Sequence, residues 1–458
     1  MRSPDAALTG APRARPLAAL LADVTPGALL LAAALPIVFL HLRYQPDVVA
    51  GRATIKLSDL AILVVAVAAA WTGLRRGWAP LQPGRWVWIA GIAFLVWLLA
   101  AVFYPLASSR AYAWKTHLVT AGEYGEYALL APAVPLLVRK YTDVLVTLGA
   151  LVAWSLVATV VGVLQWTGWD ILAGWGQGRR EPSFLGTHDF AALAGMALGV
   201  GMVALLWGVS GRLRTVAWIA VVAGVIGVVL GGATSGVVGL VCAAVVALVV
   251  AVRRHLAHRT ALVAAIAATL LCTLGVIVLR SGDFGQFFSF LGVRHASASA
   301  AKNIETYPQH TVLAYIGLRI WLHHPIVGAG FEASKEFSTY GRELPAAHAR
   351  FPNVSPQSFP SSTRDYGIQN LYIQALADLG IVGFALLVAL FAVGIWIALV
   401  AALRAPPATA FGAMLGLFWL VMSLGFWGTQ DFVAGIPIDA VTWLGFGAAA
   451  TRFRGATV

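Results

Sequence analysis

The sequence predicts an all-α integral membrane protein with about twelve transmembrane helices and one large extracytoplasmic loop. Of its 458 residues, 60% are hydrophobic and only 11% are charged, whereas soluble domains carry about 25% charged residues. The apolar residues form blocks of about 17–25 residues, the length that crosses a hydrocarbon core of about 30 Å as a helix. A transmembrane β-barrel would instead show shorter segments of alternating polarity.

The candidate spans follow from these blocks. Because lipid offers no hydrogen bonds to the backbone, each block is expected to be helical along its whole length. The twelve blocks lie at 26–41, 57–74, 86–104, 116–138, 142–166, 189–209, 215–231, 234–252, 261–279, 383–403, 408–427 and 433–450.

The distribution of charge predicts the orientation. With the N-terminal segment inside, sixteen lysines and arginines fall in the inner segments and seven in the short outer loops. Positive residues accumulate on the cytoplasmic side of membrane proteins, and long loops are excluded from this rule. Both termini are therefore expected in the cytoplasm. Topology also explains the net charge of +12 without a nucleic-acid partner.

Five regions follow from this topology. Arg2, Arg13 and Arg15 precede a first apolar run that Asp23 and Pro26 interrupt, so we expect a tail and a span there, not a cleaved signal peptide. The regions are a cytoplasmic tail at 1–25, spans one to nine at 26–280, an extracytoplasmic loop with short amphipathic helices at 281–369, a surface helix with spans ten to twelve at 370–450, and a cytoplasmic tail at 451–458.

The long loop, residues 281–369, is the only segment large enough for a structured unit outside the membrane. Its run Tyr315–His323 has the pattern of an amphipathic helix, which Pro325 would end. The apolar segment 368–403 is too long for one straight span. Its polar and glycine positions, Asp378, Gly380 and Gly383, divide it, so we expect a short surface helix followed by a span.

A first motif precedes the sixth span. It reads Gly-Arg-Arg-Glu-Pro-Ser-Phe-Leu-Gly-Thr-His-Asp from Gly178 to Asp189 and contains the pair Arg179 and Arg180. One interpretation is that these arginines anchor a span at the interface. The other is an anion clamp for a diphosphate, because guanidinium groups bind phosphate oxygens bidentately and stay charged.

A second motif combines the end of the long loop with the segment after it. Helical spacing puts Gln369 and Tyr372 on one face, and Asn370 and Gln374 on another. Polar groups that enter an apolar span either line a cavity or make packing contacts. Both interpretations are open from the spacing.

Two further pairs of polar residues could have a function. Glu123 and Glu126 share one face of the fourth span, where they either pair with a cation or line a substrate cavity. His323 and His324 are adjacent, so they would point apart on a helix, and no third ligand has suitable spacing. We expect no metal site and no cofactor.

These segments resemble the O-antigen ligase and polymerase superfamily, membrane glycosyltransferases that use polyprenyl-diphosphate-linked glycans. The family shows an arginine-containing stretch before a middle span, then Arg-x-x-x-Trp…His-Pro-x-x-Gly-x-Gly, then His-Asn-x-Tyr-Leu-Gln…Leu-Gly-x-x-Gly. The counterparts are Arg180–Gly186, Arg319–Gly330 and Gln369–Gly383. Thr234–Gly236 is similar to a family Ser-Arg-Gly turn whose arginine is missing here.

The resemblance implies a metal-independent, inverting transferase at the outer face of the cytoplasmic membrane. The donor would be a glycan on undecaprenyl diphosphate, which enters between spans among the membrane lipids. The acceptor would be a hydroxyl of a glycan or a lipid. Arg180 and Arg319, with Arg179, would bind the diphosphate, while Gln369, Asn370 and Tyr372 would position the acceptor. Ligase and polymerase activity differ only in the acceptor, which the sequence leaves open.

Gln369 departs from the family pattern, which has the catalytic histidine at this position. A carboxamide accepts no proton near neutral pH, so Gln369 can only orient groups through hydrogen bonds. Three hypotheses follow. Asp365 or His348 is the general base, or the clamped diphosphate leaves without much base assistance, or the protein is a non-catalytic relative.

A transporter or flippase for an anionic or lipid-linked substrate is the rival hypothesis. Twelve spans, the acidic residues Glu123 and Glu126, and a basic outer cavity would suit it. The halves of the chain show no internal repeat, which many carriers have. Convergence of Arg180, Arg319 and Gln369 at the outer surface would favour the transferase, because clamp and acceptor must meet at one bond.

Overall fold

A helix overlaps each of the twelve predicted spans. The computed structural model describes residues 22–50, 53–108, 112–169, 172, 180–256, 258–282, 306–432 and 436–452. The corresponding helices are α1 (Pro26–Val38), α2 (Leu57–Arg76), α3 (Arg85–Phe103), α4 (Trp114–Ala128) with α5 (Leu130–Leu137), α6 (Tyr141–Trp166), α7 (Thr187–Leu206), α8 (Gly211–Gly231), α9 (Thr234–Arg253), α10 (Arg259–Leu279), α14 (Leu371–Arg404), α15 (Pro407–Phe426) and α16 (Ile436–Ala450).

Nine of the helices in the described ranges are long and apolar enough to cross a membrane. They are α2, α3, α6 to α10, α14 and α15. Helix α1 has 13 residues and α16 has 15. The fourth predicted span is divided between α4 and α5, where Pro132 lacks the N–H that would bond to the carbonyl of Ala128. The all-α membrane class is confirmed, and the count of twelve spans stays a prediction.

Helices α7 and α15 form the centre of the bundle. The hydrophobic stretch of α7 is completely buried, and 83% of that of α15 is buried. Glycines allow the close packing: a Cβ at Gly199 would lie 2.6 Å from the Phe418 ring, and one at Gly201 would lie 2.6 Å from the Ala217 carbonyl oxygen. Small residues at such interfaces are typical of helices packed in membranes.

The loop between the first two spans contains a hairpin that the sequence analysis did not predict. Strands β1 (Asp47–Ala50) and β2 (Ala53–Lys56) pair antiparallel, with Val48 opposite Ile55 and Val49 opposite Thr54. These β-branched side chains favour extended backbone. The pattern is too short to stand out beside the long apolar blocks.

The described part of the long loop, from residue 306, folds into a small unit. It contains α11 (Thr306–His323), α12 (Phe337–Tyr340) and α13 (Leu344–Arg350). A separate hydrophobic cluster, which includes Val312, Ile316, Ile320, Tyr340 and Phe359, holds these helices together. Helix α11 also packs against α14.

The glycine-rich turn after α11 interlocks with a break in α14. Gly380 has φ 65° and interrupts the helix at one of the positions expected to divide this segment. Across the break, the Gly330 N–H donates to the Asp378 carbonyl at 3.0 Å, and the Ile381 N–H donates to the Pro325 carbonyl at 2.9 Å. The segments Arg319–Gly330 and Gln369–Gly383 therefore pair through their backbones.

Candidate functional site

Arg180 and Arg280 converge on one turn between α8 and α9. The Arg180 Nε donates to the Gly231 carbonyl at 3.0 Å. The Arg280 Nη1 donates to the Thr234 hydroxyl at 2.9 Å and to the Gly232 carbonyl at 3.4 Å. We call these two arginines with residues 231–234 the arginine turn. Two guanidinium groups on adjacent carbonyls form a cationic site that suits an anion with several oxygens.

The first motif folds into a buried turn that positions Arg180. Ser183 has φ 54°, and its N–H and carbonyl bond to the Gln165 side chain at 2.8 and 3.0 Å. Arg180 then reaches the start of α7, where its Nη2 donates to the Thr187 hydroxyl at 2.6 Å. The N-terminus of α7 carries partial positive charge and adds to the field of the arginines.

Two histidines lie beside the arginine turn. His188 is within electrostatic range of Arg180, Arg280 and His310. The buried Nδ1 of His188 has no hydrogen-bond partner among the described residues. His310, on α11, lies within electrostatic range of Arg280. Burial, followed by the charge of Arg280, lowers the pKa of His310, which favours a neutral imidazole at pH 7.

Gln369 is held in a strained conformation. Its φ of 50° lies in the left-handed region, which is uncommon for a residue other than glycine. The Gln369 N–H donates to Asp431 Oδ1 at 2.5 Å. Burial raises the pKa of Asp431 to about 6, although Lys335 lies 3.5 Å away and opposes the shift.

A buried polar network holds Asp431, the partner of Gln369, in place. The Lys335 Nζ lies 2.7 Å from the Glu332 carboxylate, which also accepts a 2.8 Å bond from the Gln374 amide. Asp378 accepts bonds from the backbone N–H groups of Glu332 and Ser334 at 3.2 and 2.8 Å. The network ties the glycine-rich turn to α14, and Asp431 connects it to Gln369.

Arg319 lies on the opposite side of α11 from His310. The two residues are nine positions apart, which is two and a half helical turns, or about 13.5 Å along the axis. Arg319 pairs with Glu343 at 3.0 Å, and Glu343 also binds His323 at 2.9 Å. These residues, with Arg342, line a cavity of about 380 Å³ that we call the outer cavity. Arg319 therefore faces the outer cavity, on a different side of α11 from His310.

Residues 219–388 match the family model described as O-antigen ligase. This segment belongs to the O-antigen ligase family. The family predicted from the motifs is thereby confirmed. The O-antigen ligase domain runs from α8 through the long loop into α14, so it includes Arg280, His310, Arg319 and Gln369, while Arg180 precedes it. No curated protein matches the chain.

The predicted acceptor residues at the start of α14 make contacts within the O-antigen ligase domain and beyond it. Asn370 caps the helix by accepting the Ile373 N–H at 3.0 Å, and its amide donates to the Gly428 carbonyl at 2.9 Å. The Tyr372 hydroxyl donates to the Leu424 carbonyl at 2.6 Å. Both side chains connect the start of α14 to the end of α15 or to the turn that follows it. Their proposed contacts with substrate stay predictions.

The two predicted bases lie elsewhere in the long loop. Asp365 is exposed, accepts the Gly367 N–H at 2.8 Å and interacts with the charge of Lys335. His348 is an exposed residue of α13, and its ring stacks on Phe359 with 4.0 Å between the ring centroids. Neither of these side chains bonds to or stacks on a residue of the arginine turn.

The remaining predicted residues are separate from this cluster. Glu123 and Glu126 lie on α4, where their charged neighbours include Lys56 and Asp59. The Glu126 Oε1 is buried without a hydrogen-bond partner in the described ranges. Arg179 lies outside the described residues.

Three residues of the cluster were not singled out from the sequence. His188 is part of the first motif, and Arg280 was counted only among the cations of the long loop. His310 precedes the run that was predicted to be helical. A cation at the outer end of a predicted span, as at Arg280, is the signal that could have found one of them.

Proposed function

We propose that the protein is an O-antigen ligase-like glycosyltransferase. It would move a glycan from undecaprenyl diphosphate to an acceptor hydroxyl at the outer face of the cytoplasmic membrane. The reaction would proceed without a metal and with inversion. The observation that carries the proposal is the convergence of Arg180 and Arg280 on the arginine turn, at the helix ends that the charge pattern assigns to the outer face.

The arginine turn suits the leaving group of this reaction. As the anomeric carbon–oxygen bond breaks, negative charge grows on the diphosphate, and fixed positive groups at that point lower the barrier. Arg180 and Arg280 are held by backbone carbonyls and hydroxyl groups, so the guanidinium groups need little rearrangement. The sequence-based clamp of Arg180 and Arg319 is thus revised to Arg180 and Arg280.

The acceptor would approach from the side of Gln369. Attack opposite the diphosphate inverts the anomeric carbon and requires the clamp and the acceptor to meet at one bond. Gln369 is part of the same O-antigen ligase domain as Arg280. Arg319, in the outer cavity, is placed better for a group of the acceptor or the growing glycan than for the diphosphate.

Glycan analysis of a deletion strain tests the proposal. Loss of the protein should leave lipid-linked glycan on the outer leaflet, and the wild-type gene should remove it. Arg280→Ala should fail to complement although it inserts normally. Arg253→Ala is the matched control, because this exposed arginine lies at the opposite end of α9 from the turn. Accumulation on the inner leaflet would support the rival flippase function instead.

A further inference from the structure

A polar cavity opens at the end of the bundle that the charge pattern assigns to the cytoplasm. It has a volume of about 200 Å³ and lies where the start of α1 meets the ends of α2 and α5. We call it the inner cavity. Its lining includes three arginines, a tryptophan and a threonine, which are Arg75, Arg76, Arg139, Trp71 and Thr72. No acidic residue of the described ranges lines it, so the cavity suits an anionic ligand.

Arg139 has an unsatisfied donor at this cavity. Its Nε donates to the Leu136 carbonyl at 3.0 Å, which fixes the guanidinium group. The Nη2 atom of the same group is buried and has no hydrogen-bond partner among the described residues. A buried donor without an acceptor costs free energy, and a phosphate oxygen in the cavity would satisfy it. Arg139 is therefore held in position with one donor left for a ligand.

The carboxylates at this end of the bundle are bonded to other groups. Asp143 accepts three backbone N–H groups at 2.8, 2.9 and 3.0 Å, those of Thr25, Arg139 and Lys140. Asp23 pairs with the Lys140 ammonium at 3.2 Å. In the described part of the chain, neither carboxylate forms an ion pair with a guanidinium group of the inner cavity. The arginines of this cavity therefore keep their charge for a ligand.

The surroundings of the inner cavity indicate that the anion belongs to a membrane lipid. Trp71 and Leu74 are exposed on α2, one of the helices long enough to cross a membrane, and the Arg75 guanidinium lies 4.2 Å from the centre of the Trp71 ring. Tryptophan side chains of such helices concentrate at the headgroup level of a bilayer. Pro26, the first residue of α1, lines the cavity, and the start of a helix carries partial positive charge. Basic pockets between transmembrane helices on the cytoplasmic side bind lipid headgroups.

We propose that the inner cavity binds the phosphate group of an anionic membrane lipid. The phosphate would accept hydrogen bonds from Arg76 and from the Nη2 of Arg139, while the acyl chains would lie along Trp71 and Leu74. A lipid bound there would tie α1 to α2 and α5, because these helices supply the walls of the cavity. By the predicted topology, the site lies on the other side of the membrane from the arginine turn. The proposal therefore does not depend on the transfer reaction.

Lipid binding to the purified full-length protein in detergent tests the proposal. The probes are phosphatidylglycerol, which has a net negative charge, and phosphatidylcholine, which has none, and native mass spectrometry measures their binding. The wild type should bind phosphatidylglycerol about tenfold more tightly, and Arg76→Ala and Arg139→Gln should each remove about tenfold, the effect of one charge-assisted hydrogen bond. Arg85→Ala should bind as the wild type does. It is the matched control, because this exposed arginine at the start of α3 lies over Trp86 and does not line the cavity.

Four outcomes would overturn the proposal. One is equal binding of the two lipids by the wild type, and another is unchanged binding of phosphatidylglycerol in both variants. The third is an equal loss in Arg85→Ala, which would show a response to surface charge alone. The fourth is tighter binding of ATP or inorganic phosphate than of phosphatidylglycerol, which would assign the cavity to a soluble anion. If Arg139→Gln does not fold because the bond to Leu136 is lost, Arg76→Ala decides, since Arg76 is exposed.

Discussion

Two basic clusters of this protein differ in the groups that hold their side chains. In the arginine turn, Arg180 and Arg280 donate hydrogen bonds to backbone carbonyls and to the hydroxyl groups of Thr187 and Thr234. In the outer cavity, Arg319 and His323 share the carboxylate of Glu343. The first cluster lies among helix ends, whereas the side chain of Arg319 is 37% exposed.

The contrast shows why the number of arginines in a motif does not identify an anion site. A guanidinium that donates to carbonyl and hydroxyl oxygens stays charged, and its planar group of donors can also bind a phosphate. An exposed guanidinium that already pairs with a carboxylate is compensated, and water screens what remains. The partner of each arginine therefore carries more functional information than its position in the sequence.

The largest effect that tests this contrast is expected at Arg280. Arg280→Ala should lower the transfer rate by about 100- to 1,000-fold, the loss typical for one charge-stabilising donor. Arg280→Lys should recover only part of the rate, because an ammonium cannot bind the turn and a phosphate with a planar fork. Transfer assays with the extracted lipid-linked glycan measure both. A wild-type rate in Arg280→Ala would remove the basis of the contrast.

The dependence on pH should show the second-largest effect. Asp431 accepts the Gln369 N–H as a carboxylate, and burial raises its pKa to about 6. The transfer rate should therefore be level above pH 7 and should fall as the pH drops through about 6, because protonation removes the charge that holds this N–H. Asp431→Asn should lose this acidic decline, and a decline that persists in Asp431→Asn would assign it to another group.

A smaller effect is expected at Arg319. Arg319→Ala should lower the transfer rate by at most about fivefold, because water screens the charge of an exposed ion pair. The comparison with Arg280→Ala in one assay is the measurement. Complete loss of transfer in Arg319→Ala, with normal insertion, would return Arg319 to the diphosphate clamp as the sequence analysis proposed.

The smallest effect on transfer is expected at Glu343. Glu343→Gln removes the shared carboxylate of Arg319 and His323, so the outer cavity becomes more positive. Transfer should change by less than about twofold, while the free energy of unfolding should fall by about 1–3 kcal/mol, since the buried Glu343 side chain loses its charge-assisted hydrogen bonds. Thermal unfolding in detergent checks the second part. A large loss of transfer would show that the two clusters are not independent.

Hydrophobic length predicted where the helices lie, because an apolar block that crosses lipid must be helical. The site was predicted less completely. Arg180 came from its motif, but Arg280 reaches the turn through bonds to Gly232 and Thr234, which are 48 and 46 residues away in the sequence. No local spacing encodes such contacts. The hairpin at β1 and β2 was missed because two four-residue strands give a weak signal.

The interlock between the glycine-rich turn and the break at Gly380 constrains how substrates reach the site. The loop is fastened to α14 by backbone bonds on both sides of the break, including those from Gly330 and Ile381. It cannot swing outward about Pro325 as a hinged cover without breaking several buried hydrogen bonds at once. An acceptor of the proposed reaction would therefore reach the site while this part of the loop stays fastened to α14.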